Sequence, residues 1–222
     1  MVTKGIFKFE KNVVLDESTI NELHSLLLGY CTVIKYRATT LDSKSLEFET
    51  HTELLSYDNF KKNKIIELEI AGYNAHKRIF SLAFFGKRHS SPYIECQYSF
   101  TDTDSETLFT SQLKIFFEKR VECYNHHLFT SVLIGGALLV GSLYLVLKHK
   151  LTDSATFALA LLEVIAYYLI ENKILKSLFP PIVFRWGNEI KAHKSRTNLR
   201  NNLFWAIIAS FGIGVLLELI FR

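Results

Sequence analysis

Apolar and polar positions along the first 125 residues alternate or recur at helical spacing, whereas from Leu128 onward long runs are apolar throughout. Ile6-Phe-Lys-Phe9 alternates and predicts a first strand extending towards Val14. Asp16 or Ser18 offers an N-cap, and Ile20, Leu23, Leu26 and Leu27 predict a helix that stops at Gly29. Cys31 to Tyr36 and Leu46 to Thr50 read as strands, with a short helix around Thr52 to Tyr57. Ile65–Ile70, Ile79–Phe85 and Tyr93–Phe100 are β-rich runs separated by short polar links, which predicts an antiparallel meander. Asp102 or Asp104 then caps a helix from about Ser105 to Tyr124, with Leu108, Phe109, Leu113, Phe116, Phe117 and Val121 facing the sheet. The expected class is α+β, an antiparallel sheet with helices on one face.

The apolar runs predict a second part. Leu128 to Leu147 holds twenty residues without a charge, enough to cover the ~30 Å hydrocarbon core of a bilayer. Leu203 to Phe221 is interrupted only by Glu218, and the shorter Thr156 to Ile170 carries Glu163. The expectation is a sensor domain over 1–125 and a transmembrane helical bundle over 126–222, with spans at 128–147, 155–171 and 203–221. Three crossings place the seven Lys/Arg between Glu171 and Asn202 on the cytoplasmic side, beside the first domain. No signal peptide is evident, so that domain is expected in the cytoplasm. The helix from Ser105 leads towards the first run without Gly or Pro, so domain movement would reach the membrane directly.

Composition narrows the chemistry. The net charge of +4 is mild, and Cys31, Cys96 and Cys123 are too irregularly spaced for a disulfide framework or a zinc site. Phosphate-binding loops, dinucleotide fingerprints, nucleophile elbows and HExxH helices are absent from the sequence. Neither catalytic residues, a cofactor nor a metal site is expected.

The candidate residues fall into three groups. At one end of the meander Lys61, Lys62 and Lys64 neighbour Lys87 and Arg88, a basic rim expected at lipid phosphates together with Trp186. At the other end Tyr73, Asn74, His76, Lys77 and Arg78 form a rim suited to a nucleotide or single-stranded nucleic acid. A solvated hairpin turn explains the same residues. In the middle apolar run Thr156, Glu163, Tyr167 and Glu171 share a helix face. They would line a cation path, or Glu163 would be paired within a structural bundle. Small residues one turn apart, Ala206, Ser210 and Gly214, suit a homo-oligomer.

Leu178-Phe-Pro-Pro-Ile-Val-Phe-Arg-Trp-Gly187, followed by a basic helix and a terminal apolar run, resembles the C-terminal part of bacterial anti-phage membrane effectors of the Hailong type. That resemblance covers roughly Leu128 to Arg222. It implies an oligomeric ion channel in the bacterial inner membrane, gated by single-stranded DNA or a nucleotide signal that a partner enzyme makes. The alternative from the residues themselves is a non-conducting membrane adaptor that docks a partner protein.

Overall fold

The computed structural model describes residues 3–86, 94–124, 135–136, 153–169 and 178–220. Nine strands and five longer helices make up these residues: β1 Thr3–Phe9, β2 Asn12–Asp16, α1 Glu17–Leu28, β3 Val33–Thr40, β4 Ser45–Phe48, α2 His51–Ser56, β5 Ile65–Asn74, β6 Lys77–Phe85, β7 Ile94–Phe100, α3 Thr103–Lys119, β8 Glu122–Tyr124, α4 Asp153–Leu169, β9 Ile182–Arg185 and α5 Glu189–Ile220. A 3₁₀ turn, Lys61–Asn63, precedes β5.

Alternation in the strands decides the main sheet. Its order is β1-β7-β6-β5-β3-β4 and every pairing is antiparallel. Ile34, Tyr36, Ala38, Leu68, Ile70, Phe80, Leu82, Phe84, Ile94 and Cys96 point to one side and are buried. There they meet Ile20, Leu23 and Leu27 of α1 and Phe109, Leu113, Phe116 and Phe117 of α3. Helix caps fix where the covering helices begin: Asp16 accepts from Thr19 N at 2.9 Å and Asp102 from Ser105 N at 2.7 Å.

A second, three-stranded sheet closes the core. β2, whose Val13, Val14 and Leu15 are buried, pairs antiparallel with β8 and parallel with β9. Val13 N donates to Pro181 O at 2.9 Å, so the double proline seats the chain at the head of β9. Phe184 meets Phe84 at 6.5 Å between ring centroids and Trp186 at 5.6 Å. Ile182, Phe184 and Trp186 therefore share one core with the first 120 residues, although they lie beyond the expected domain boundary, and Leu178, Phe179 and Val183 form a smaller cluster with Val14.

Several expectations are corrected here. Among the described residues no helix is long and apolar enough to cross a membrane. This overturns the transmembrane bundle and, with it, placement of the protein in a bacterial inner membrane. α4 has 17 residues and contains Glu163, about 26 Å at ~1.5 Å per residue. α5 begins with a half rich in Lys, Arg and Asn. The 128–147 run lies outside the described residues except for Gly135 and Gly136. The helix expected to continue from Ser105 into that run instead ends at Lys119, and the chain turns into β8 beside β2. A rigid helical lever into the next segment is therefore absent. Trp186, expected at a membrane surface, is fully buried. Finally, the alternation from Ile6 to Val14 divides between two sheets, because β1 and β2 are separate strands.

Candidate functional site

The rim from Tyr73 to Arg78 is a two-residue hairpin between β5 and β6. Ala75 and His76 both adopt positive φ, 45° and 67°, as a type I′ turn requires. Asn74 is committed to the scaffold: its side-chain oxygen accepts from Thr32 N at 2.7 Å and its amide donates to Tyr30 O at 3.3 Å. Arg78 folds back along the sheet to pair with Glu69. His76 and Lys77 are exposed at the tip, and Tyr73 is half-buried beneath Lys35, whose ammonium lies 6.0 Å from its ring centroid. The hairpin thus brings Tyr73 and Arg78 onto the uncovered face of the sheet and leaves His76 and Lys77 apart from them.

That uncovered face has a regular charge pattern. Cross-strand register lines up Lys8, Glu95, Ala83, Glu69, Arg37 and Glu47 in one row across six strands. The adjacent row is Ile6, Gln97, Ser81, Ala71 and Lys35. Small side chains at Ser81 and Ala83 leave a shallow depression of about 300 Å³ over β6, walled by Arg37, Glu67, Glu69, Arg78, Glu95 and Gln97. Burial would raise the Glu69 carboxyl, but the Ser81 hydroxyl at 2.6 Å, Arg78 and Arg37 outweigh it and hold it below its ordinary value. The lining carries two cations against three carboxylates, so it does not favour a phosphate.

A second surface has the opposite balance. Lys64, just beyond the 3₁₀ turn, reaches Glu189 at the start of α5 at 2.8 Å, and Arg196 pairs with the same oxygen. Glu189 is 2% exposed. This junction joins Lys61, Lys62 and Lys64 to a helix 125 positions away in sequence. Arg185 on β9 spans Asp16 at 2.8 Å and Glu122 at 2.9 Å. Arg200 lies 5.2 Å from the Phe179 ring centroid. His193, nearly buried, is held below its ordinary pKa by burial and then by Arg185, Arg200 and Arg196, with Glu122 opposing. Asn59 anchors the turn: it donates to Phe184 O at 2.7 Å and accepts from Ile65 N at 2.7 Å. Asn188 also donates to Asp58 at 3.1 Å.

Of the cations on these elements, Lys61, Lys62, Lys191 and Lys194 are exposed, whereas Lys64, Arg185 and Arg196 are engaged by Glu189, Asp16 and Glu122. The solvent side of α5 carries Lys191, Lys194, Asn198, Asn201, Asn202 and Trp205, all exposed and one helix face by their spacing. Trp205 is 65% exposed.

The remaining expected residues do not assemble into a site. Thr156, Glu163 and Tyr167 are half-buried on one side of α4, whereas Leu161, Leu162, Val164 and Ile165 are exposed. Glu171, Lys87 and Arg88 lie outside the described residues. Among the described residues no cluster of three His, Cys, Asp or Glu side chains is placed to hold a metal. Under the sheet, His24 Nδ1 lies 2.6 Å from the Tyr36 hydroxyl and its ring stacks on His51 at 4.1 Å. Burial and then His51 lower its pKa.

Sequence reasoning missed both the charge rows and the role of Glu189. The rows were implicit in the Glu67 and Glu69 alternation, and Glu189 is one of few acids amid the cations of residues 185–200. Comparison with family models, curated proteins and solved structures finds no match that links this chain to a known family.

Proposed function

We propose that this chain is a nucleic-acid-binding module that holds the phosphate backbone of a single strand on the corner between the 3₁₀ turn and α5. The observation that carries this reading is the Lys64–Glu189–Arg196 junction, which ties the 3₁₀ turn to the inner side of α5 and leaves Lys191 and Lys194 on the helix's solvent side. Phosphate contacts by Lys and Arg supply most of the affinity for nucleic acid and make it depend on salt. Amide side chains at Asn198, Asn201 and Asn202 add donors and acceptors, and exposed Trp205 gives a base a surface on which to stack. The Tyr73–Arg78 rim offers Lys77 alone once Asn74 and Arg78 are engaged, against exposed Lys61, Lys62, Lys191 and Lys194 on the corner.

The test is fluorescence anisotropy of a labelled twenty-nucleotide single strand over a range of salt. Binding should weaken with a log–log slope of about −0.7 for each phosphate contacted. Lys191→Glu combined with Lys194→Glu should reduce affinity at least tenfold, while Lys77→Glu changes it little. No binding at low salt, or equal binding by the double variant, would remove this reading.

A further inference from the structure

The uncovered face of the main sheet is complementary to itself. We propose that two copies of this chain dimerise through that face, with the two-fold axis parallel to the strands and midway between β5 and β6.

The argument rests on the row Lys8, Glu95, Ala83, Glu69, Arg37, Glu47, one residue from each of β1, β7, β6, β5, β3 and β4. A two-fold axis lying in the interface reverses this row on the opposing sheet. With the axis between β5 and β6, Glu95 faces Arg37 of the second copy and Lys8 faces Glu47 of the second copy, each pair occurring twice. Ala83 faces Glu69. In the adjacent row Gln97 faces Lys35 and Ser81 faces Ala71. Placing the axis on β6 itself would set Glu95 against Glu69 and Lys8 against Arg37, whereas the axis between β5 and β6 lies at the middle of the six strands and overlays all of them.

Shape agrees with charge. Beside the axis, short Ala83 receives Glu69 of the second copy and Ser81 meets Ala71, so long side chains face short ones as two sheets approach to the ~10 Å of face-to-face packing. Six strands ~4.8 Å apart and about seven residues long give a face of roughly 29 Å by 23 Å, or about 1,300 Å² for two copies, within the range of stable dimers. The covering would also bury Val33, which is 49% exposed. Arg78 stays with Glu69, and the Arg37–Glu47 pair within each sheet, 2.7 Å apart, gains Glu95 and Lys8 of the second copy without being broken. α1, α2 and α3 cover the other face of the sheet, leaving this one open among the described residues.

Sedimentation equilibrium on nuclease-treated full chain decides the matter. The wild type should have twice the chain mass at micromolar concentration. Ala83→Lys places an ammonium opposite Glu69 of the second copy, so the dimer should tighten several-fold while the monomer keeps its melting temperature. Arg37→Glu and Glu95→Arg should each weaken the dimer, and the double variant should recover it by restoring the pair with reversed sign. A wild type that remains monomeric overturns the proposal. So does a dimer that is indifferent to Ala83→Lys, or a double variant that fails to recover while still folded.

Discussion

Replacing Glu189 by Gln tests the junction on which the basic corner depends, because stability and binding should move in opposite directions. Glu189 is 2% exposed, and its partners Lys64 and Arg196 have side chains 24% and 19% exposed. Removing one member of a deeply buried pair costs ~3–5 kcal/mol. Here both cations reach water and recover part of their hydration, so a cost of about 1–3 kcal/mol is expected. With a urea slope of ~2 kcal/mol/M, the unfolding midpoint falls by roughly 0.5–1.5 M. The freed cations should meanwhile strengthen oligonucleotide binding several-fold and steepen its salt dependence by up to about 1.4, two phosphates at ~0.7 each. Urea unfolding and anisotropy on the same sample measure both. An unchanged midpoint, or binding that weakens along with stability, would refute the reasoning.

Four further outcomes follow from the same geometry. Asn59→Leu leaves Ile65 N and Phe184 O without a buried partner and should cost about 2–5 kcal/mol, readable as a lower urea midpoint. His76→Gly relieves a left-handed backbone in the type I′ turn and should raise the melting temperature by ~2–4 °C, for roughly 1 kcal/mol gained. Burial, followed by Arg185, Arg200 and Arg196, depresses His193 in the fold. Stability is therefore complete above the unfolded value of ~6.5 and declines as pH falls below it. His193→Gln should flatten that decline, seen in melts between pH 7 and 5. Asp16 is held below its ordinary range: burial opposes this, but the Thr19 hydroxyl and amide, Arg185 and Ser18 outweigh it. Its contribution is present above an unfolded pKa of ~3.9 and is lost as pH falls further, so Asp16→Asn should remove that acid-sensitive share.

Local periodicity carried much of the fold. The alternation in Ile65–Ile70 and Ile79–Phe85 corresponds to β5 and β6 in the antiparallel meander, and the Asp102 cap starts α3. Long-range closure was not legible. The apolar Pro180–Phe184 stretch gives no sign in sequence that it pairs in parallel with Val13–Asp16. Hydrophobic enough to suggest a membrane, it is apolar because it fills a protein core around Trp186. Length alone likewise suggested that the helix from Ser105 continues, whereas β8 ends it by taking an edge of the second sheet. The basic residues at 61–64 and 185–200 were visible as composition, and the buried carboxylate that joins them was visible only as one Glu among cations.

Hydrogen exchange with and without a twenty-nucleotide single strand tests the central claim most directly, because it reports where the ligand sits. The account predicts slowed exchange over 59–65 and 185–202, quenching of Trp205 fluorescence with buried Trp186 unaffected, and no change in the Tyr73–Arg78 hairpin. Protection confined to that hairpin, or none anywhere at low salt, would contradict it.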